Sequence, residues 1–224
     1  MSGEVHAAHH VPQKVTQTPR RGGNGRTGRD AYDLATVLAI AVAAFNEHGY
    51  EATSMGILAE RLGTSRSAIY YHVTSKEDLL RLALDRALDG LEGVLLEPGA
   101  TVGPADQRLR HVLRRAVEVL VEELPFVTLL LRLRGNTEVE RSALDRRRRF
   151  DHAVTKLIDA ARDQGAVRTD VDAGTTTRLL FGMINSIVDW YRPGGALSTS
   201  QLADDVIAVA LSGISRQEIR RPGA

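Results

Sequence analysis

The side chains best suited to binding chemistry form one short run, from Thr64 to Ala68. This run carries three hydroxyl groups and Arg66, and it has no large apolar side chain. A guanidinium group can donate two parallel hydrogen bonds to O6 and N7 of guanine, and small neighbours let it approach a base pair closely. Arg66 could also be an ordinary solvated surface arginine. The residue types nevertheless favour contact with duplex DNA over bond-making chemistry.

Two short helices joined by a tight turn, at about residues 54–73, position this run. A helix-turn-helix needs a small residue where the helices cross, a residue that tolerates positive φ in the turn, and an apolar residue that returns to the core. Ala59, Gly63 and Ile69 meet these three needs at the required spacing. A plain helical hairpin would share some of this pattern, so the surface side chains must distinguish a DNA-binding motif from such a hairpin.

Donors for a phosphate backbone flank the run from Thr64 to Ala68. Those that follow it are Tyr70, Tyr71, His72 and Lys76. Because successive helical residues lie about 100° apart, the two tyrosines cannot both face a core. Thr53 and Ser54 add hydroxyls at the start of the first helix, where free N–H groups favour a phosphate. These two residues could equally serve only as helix caps.

The stretch Phe45-Asn-Glu-His-Gly-Tyr-Glu-Ala-Thr-Ser-Met, with Leu58-Ala-Glu-Arg-Leu-Gly-Thr-Ser-Arg-Ser-Ala-Ile-Tyr-Tyr-His-Val and Ser75-Lys-Glu-Asp-Leu-Leu, resembles the N-terminal domain of TetR/AcrR-family transcriptional regulators. The resemblance covers about residues 31–80. It implies a three-helix domain with its third helix in the major groove, a fourth helix leading to an all-helical effector domain, and a homodimer. Val73 stands where an aromatic residue is commoner in the family.

The resemblance also implies individual roles. Bases would be contacted from the Ser65 end of the third helix, by Arg66, Ser67 and Ala68. Phosphates would be held by Tyr70, Tyr71, His72 and Lys76, and from the second helix by Thr53 and Ser54. The implied partner is a palindromic double-stranded operator, and the implied activity is repression controlled by a small molecule.

Composition divides the 224-residue chain into four segments. Residues 1–29 hold five basic residues against one acidic residue, a net charge of +4, and too few apolar groups for a core, so we expect a disordered tail. Residues 30–80 form the predicted DNA-binding domain with a net charge of −4, which leads to the hypothesis that the basic tail adds affinity for DNA. Residues 81–216 form the predicted ligand-binding and dimerisation domain, and 217–224 a C-terminal tail.

We predict an all-α fold, because apolar residues recur at helical spacing and no alternating strand pattern occurs. After the fourth helix at 75–96 and a loop at 97–104, helices are predicted at 105–124, 126–134, 137–164, 172–192 and 198–216. The last two are more apolar than one core contact requires, so a second buried face is predicted, and the family resemblance implies that this face is the homodimer interface. No apolar run is long enough to span a membrane, and no signal peptide precedes the domain, so we expect a cytoplasmic protein.

A ligand pocket is predicted between helices 105–124, 137–164 and 172–192. Its predicted walls are Leu120, Phe126, Leu130, Phe150, Val154, Phe181 and Trp190, with Asn185 as a polar anchor. Each wall residue could instead be dry core. The run Asp189-Trp-Tyr-Arg-Pro-Gly-Gly resembles family members whose effectors include acyl-coenzyme A thioesters. Arg146 to Arg149 is either a solvated face paired with Asp145 and Asp151 or an anion-binding patch.

An enzyme is not expected. The chain has no cysteine, and it lacks the phosphate-loop, HExxH and GxSxG patterns. No cofactor and no metal site are predicted. The remaining alternative is a helical interaction or structural protein without sequence-specific DNA binding, and binding to DNA that flanks the gene would separate the two.

Overall fold

The computed structural model describes residues 32–214, with side chains as far as residue 212. The predicted tails at 1–29 and 217–224, and the proposed role of the basic tail, lie outside this range. Within it every regular element is a helix, which confirms the predicted all-α class. The helices are α1 (Leu34–His48), α2 (Met55–Leu62), α3 (Arg66–Tyr70), α4 (Lys76–Val94), α5 (Pro98–Thr101), α6 (Ala105–Glu122), α7 (Leu124–Leu131), α8 (Glu138–Asp163), α9 (Ala173–Asn185), α10 (Ile187–Trp190) and α11 (Thr199–Ile214).

Helices α1 to α3 form a small unit, here called the head, whose turns are fixed by caps. The Ser54 hydroxyl accepts from the N–H of Ile57 at the start of α2, and the Ser65 hydroxyl accepts from the N–H of Ala68 at the start of α3. Gly63 ends α2 in the left-handed conformation (φ 63°), and its N–H donates to carbonyls of the last turn. Ile69 is fully buried and holds α3 against α2, as its place in the motif predicts.

Helix α4 leaves the head and runs along the remaining helices. The Ser75 hydroxyl caps it, and Glu77 and Asp78 lie in its first turn, where the helix dipole favours acidic groups. Its buried face, which includes Leu80, Leu84 and Leu88, packs on α6, α7 and α8. Because one continuous helix contacts both parts, a movement of α4 is transmitted to both.

Helices α5 to α11 form the C-terminal domain around α6. Helix α6 packs against α4, α8 and α11, and α9 lies on α8. The core is mostly aliphatic, with one edge-to-face ring pair between Phe150 and Phe181. In the range 32–214, no helix combines the length and apolar character needed to cross a bilayer.

Several helix boundaries differ from the predicted ones. Helix α7 starts at Leu124, because Pro125 lies in its first turn, where the missing N–H has no helical partner to lose. Pro98 starts the short α5 inside the predicted loop for the same reason. The predicted helix 172–192 is divided at Ser186, whose hydroxyl donates to the carbonyl of Met183 and so competes with the helical pattern.

Candidate functional site

The first turn of α3 presents a polar, solvent-facing surface. Ser65, Arg66 and Ser67 are exposed, Ala68 is half-buried, and Ile69 faces the core. The hydroxyls of Ser65 and Ser67 lie 2.8 Å apart and share a hydrogen bond, so both are held at the helix start. The prediction that no bulky apolar group blocks this end of α3 is therefore confirmed.

Arg66 has no ion pair or hydrogen bond within residues 32–214, and its guanidinium group lies beside Gly56 of α2. The separation between an ideal Cβ built on Gly56 and Nη2 of Arg66 is only 2.6 Å. An uncommitted guanidinium at the exposed end of a helix-turn-helix is available to an external acceptor such as a base edge or a phosphate.

Tyr70, Tyr71 and His72 extend this surface past the end of α3. Tyr70 is 49% exposed and Tyr71 is 83% exposed, so both phenol groups are accessible. The Tyr71 and His72 rings meet edge to face with centroids 5.3 Å apart, which limits their rotation. The surface from Ser65 to His72 therefore offers donors over the length of α3 and the turn that follows it.

Two residues predicted to hold phosphates are engaged within the head instead. Thr53 is 1% exposed, and its hydroxyl donates to the carbonyl of Gly49 at 2.8 Å, so the expectation that its side chain contacts a phosphate is wrong. The Lys76 ammonium donates to the carbonyl of Tyr50 at 2.8 Å and lies 4.1 Å from the centre of the Tyr50 ring. Lys76 therefore fixes the α1–α2 turn in this conformation. Ser54 remains exposed while it caps α2.

The acidic groups of the head are partly neutralised by their own neighbours. Arg61 donates to the Glu47 carboxylate at 2.6 Å, and this hydrogen bond is the main reason that the pKa of Glu47 is lowered. The Arg61 guanidinium also lies 2.6 Å from Nε2 of His48. The net negative charge of this segment is thus concentrated on turns other than α3.

A small internal cavity of about 30 Å³ lies in the C-terminal domain, where α4, α6, α7, α8 and α9 meet. Four of the predicted wall residues line it, namely Leu120, Leu130, Phe150 and Phe181, together with the predicted polar anchor Asn185. Phe126 and Val154 are buried in the surrounding core but do not line it. Trp190 is 52% exposed at the end of α10, so its assignment as a wall is wrong. The buried residue of α10 is Ile187, one turn earlier.

The polar mouth of the cavity was not predicted. Arg147 and Asp151 line both the cavity and an adjoining open cleft of about 450 Å³, and Phe181 and Asn185 are common to the two as well. Burial raises the pKa of Asp151, and the positive charge of Arg147 opposes this rise. The predicted walls Phe150 and Val154 indicate which face of α8 is apolar, but their spacing gives no sign that Arg147 and Asp151 lie beside that face at an opening.

The four-arginine run divides among different environments. Arg146 is mostly buried and binds three carboxylates on α4, reaching Asp85 at 2.8 Å, Asp89 at 2.5 Å and Glu92 at 2.7 Å. Its hydrogen bonds to Glu92 are the largest cause of the raised pKa of Arg146. By contrast, Arg148 is exposed and pairs only with Asp145. The predicted solvated face describes Arg148, whereas Arg146 joins α4 to α8.

Helix α7 connects the cavity to the head. Nδ2 of Asn46, near the end of α1, donates to the carbonyl of Pro125 at 2.8 Å, and Arg132 donates to the carbonyl of Asn46 at 2.8 Å. Arg86 of α4 binds Glu123 at 2.6 Å at the start of α7. These partners are 37 to 86 residues apart in sequence, so no local pattern could have revealed them.

Comparison with known proteins agrees with this architecture. Residues 37–83 match the family described as bacterial regulatory proteins, tetR family, and residues 102–214 match the tetracyclin repressor-like C-terminal domain. The crystal structure of SCO3833 from Streptomyces coelicolor A3, a TetR-family regulator, is 53% identical, with a TM-score of 0.76, over 81% of this chain and 92% of that one.

Two more distant proteins share the fold. The transcriptional repressor KstR2 of Mycobacterium tuberculosis is 24% identical over 82% of this chain and 93% of its own, and the structure of KstR2 from that organism gives a TM-score of 0.75. The structure of AibR in complex with isovaleryl coenzyme A and operator DNA is 24% identical over 78% of this chain and 96% of that one, with a TM-score of 0.67. The chain belongs to the TetR family of DNA-binding transcriptional regulators.

Proposed function

We propose that this protein is a ligand-responsive repressor that binds a palindromic operator as a homodimer, in the cytoplasm where the chromosome lies. The observation that carries the proposal is the free donor surface of α3, with exposed Ser65, Arg66 and Ser67 and no bulky apolar side chain. Arg66 contacts a guanine. The phosphates of the DNA backbone are held by Ser54, Tyr70, Tyr71 and His72. Ala68 provides a small apolar contact to the base edges.

The operator is tested by selection from a pool of random duplexes with the purified full-length protein. A palindrome with half-site centres about one helical turn apart, or a multiple of it, supports the proposal. Enrichment of no sequence over the starting pool contradicts it and favours the alternative of a helical interaction protein. Fragments upstream of its own gene provide an independent source of candidate operators.

The proposed dimer uses α9 and α11, the helices within 172–192 and 198–216. Leu179 on α9 is 66% exposed and Val209 on α11 is 65% exposed, whereas the other faces of both helices are buried in the protomer. Exposed apolar side chains of this size on two helices are typical of a surface that a second copy covers. A second copy also supplies the second α3 that a palindrome requires.

Introducing negative charge into this apolar surface tests the dimer. Leu179→Glu and Val209→Glu should convert the dimer to a monomer in sedimentation velocity and abolish binding to the full palindrome. Leu96→Glu and Val102→Glu are the controls, because these apolar side chains are at least as exposed but lie beside α5. Monomeric controls, or dimeric Leu179→Glu and Val209→Glu proteins, would contradict the assignment.

The proposed effector is an apolar acyl group carried as its coenzyme A thioester. The apolar cavity walls suit the acyl chain, and the cleft at its mouth carries Arg147, His152 and Arg178, which suit an anionic carrier. A structural neighbour, AibR, has been solved in complex with isovaleryl coenzyme A and operator DNA. Since 30 Å³ holds about two water molecules, the ligand must displace wall side chains to enter.

The displaced walls include α7 and α8, which hold the head and α4. Val127 and Leu130 of α7 line the cavity, and the start of the same helix binds Asn46 and Arg86. Arg146 of α8 binds α4 from the other side. An effector that prefers the displaced arrangement weakens operator binding by no more than its difference in affinity for the two states.

Thermal unfolding with three ligand sets tests the effector class. Acyl-coenzyme A thioesters, the free acids and coenzyme A alone are compared at equal concentration. The thioesters should raise Tm most and should also release the operator in a mobility-shift assay. If the free acids raise Tm and release the operator as well as the thioesters do, the effector is the acid alone. Equal stabilisation by coenzyme A alone would contradict the role of the apolar cavity.

A further inference from the structure

Gly56 is a helical glycine whose backbone does not require glycine. It is the second residue of α2, and it is not among the glycines with positive φ. Glycine is the poorest helix former after proline because it loses the most backbone freedom. A reason for its presence must therefore lie in the space around it.

That space is taken by Arg66. A Cβ built on Gly56 would lie 2.6 Å from Nη2 of Arg66 and 3.3 Å from both Cζ and Nε. Because all three contacts are with the guanidinium group, this group lies against the first turn of α2. Apart from the adjoining residues and backbone of α2 itself, Arg66 is the nearest neighbour among residues 32–214 that a side chain at position 56 would meet.

Nothing else in the described part of the chain fixes the guanidinium. Arg66 is exposed and has no hydrogen bond or ion pair within residues 32–214. The N-terminal N–H groups of α2 are donors and cannot bind a cation. The free space over Gly56 thus sets where the guanidinium rests, and a methyl group there would move a flexible side-chain end at little cost in stability.

We propose that Gly56 is a positioning residue for Arg66, which by leaving the first turn of α2 open sets which base pair Arg66 reads. This inference rests on the proposed base contact of Arg66. A side chain at position 56 moves the guanidinium away from α2, so that its two parallel hydrogen bonds no longer match the same guanine.

The test measures affinity for the selected operator and for operators substituted at each base pair. Gly56→Ala should reduce discrimination about tenfold at the base pair that Arg66→Ala identifies, and change discrimination elsewhere less than twofold. Its Tm should equal or exceed that of the wild type, because alanine favours the helix. Gly93→Ala is the matched control, since Gly93 lies on α4 with nothing within 4 Å of its built Cβ.

A double variant separates positioning from a general effect. In the Arg66→Ala background, Gly56→Ala should leave the base preferences unchanged, because the positioned group is gone. If Gly56→Ala discriminates between base pairs as the wild type does, the proposal is overturned. It is also overturned if Gly56→Ala weakens binding to all sequences equally in both backgrounds. Either outcome leaves the operator assignment intact. If Arg66→Ala itself alters no single base preference, the base contact fails, and the positioning role fails with it.

Discussion

Arg66 of the head and the arginines that join elements of the C-terminal domain have opposite surroundings. In the head, Arg66 faces solvent with no partner in the described residues. In the C-terminal domain, Arg115 and Arg146 are bound to carboxylates of neighbouring helices or loops. Paired arginines hold elements together, whereas an unpaired one keeps its binding capacity for another molecule. The difference teaches that the proposed recognition surface lies where polar groups are left unsatisfied.

The largest expected difference between the head and the C-terminal domain comes from a matched pair of core substitutions. Ile69→Ala in α3 and Ile158→Ala in α8 each remove buried methyl groups, and each should cost about 2–5 kcal/mol of unfolding free energy. Ile69→Ala should also abolish operator binding, because Ile69 is the buried anchor of α3, while Ile158→Ala should retain it below its Tm. Urea unfolding and mobility shifts check this, and equal loss of DNA binding in both variants would contradict it.

A comparison of Arg66→Ala with Lys76→Ala tests whether Arg66 reads a base pair. Loss of the arginine should cost about 1–3 kcal/mol on the operator and relax the preference at one base pair. Loss of the lysine should lower the affinity for all DNA sequences about equally, because Lys76 fixes the α1–α2 turn through the Tyr50 carbonyl. Affinities for single-base operator variants distinguish the two. The same pattern for both variants would refute the base-reading role of Arg66.

The paired arginines are compared through Arg146→Ala and Arg148→Ala. Arg146→Ala leaves Asp85, Asp89 and Glu92 close together without their common cation, so unfolding should be easier by about 1–3 kcal/mol. Arg148→Ala removes one exposed pair and should cost less than about 0.5 kcal/mol. Chemical denaturation measures both. Equal costs would mean that Arg146 is not a link between α4 and α8.

The smallest expected effect concerns Asp151 at the cavity mouth. Its pKa is raised by burial, so the folded state binds a proton more tightly than the unfolded state and this stabilisation is lost as pH rises through the folded pKa. Asp151→Asn should therefore raise Tm at pH 7 and have little effect well below the ordinary carboxyl pKa of about 4. A lower Tm at pH 7 would mean that Arg147 holds the carboxylate ionised.

The head was predictable because its determinants are local. Ala59, Gly63 and Ile69 act within eleven residues, and caps such as Ser65 are read from neighbouring positions. Exposure of individual donors was less predictable, since the buried hydroxyl of Thr53 and the exposed one of Ser54 are adjacent in sequence and chemically alike. Only the fold of the α1–α2 turn decides which one reaches solvent.

The cavity was predicted in part for the opposite reason. Helical spacing identified the apolar faces that supply Leu120, Phe150 and Phe181. The mouth depends on how α8 and α9 are rotated against each other, and that is set by contacts between distant residues. Trp190 shows the same limit, because an apolar residue near the end of a helix can face either side when the helix breaks before it, as it does at Ser186.

The half-exposed Trp190 has a practical consequence, since it is the only tryptophan in the chain. Intrinsic emission excited at the red edge of the absorption band comes from this one indole, which follows α9 by five residues. Covering it should shift the emission to shorter wavelengths and protect it from soluble quenchers. The chain thus contains its own optical sensor, five residues after one of the two helices proposed for self-association.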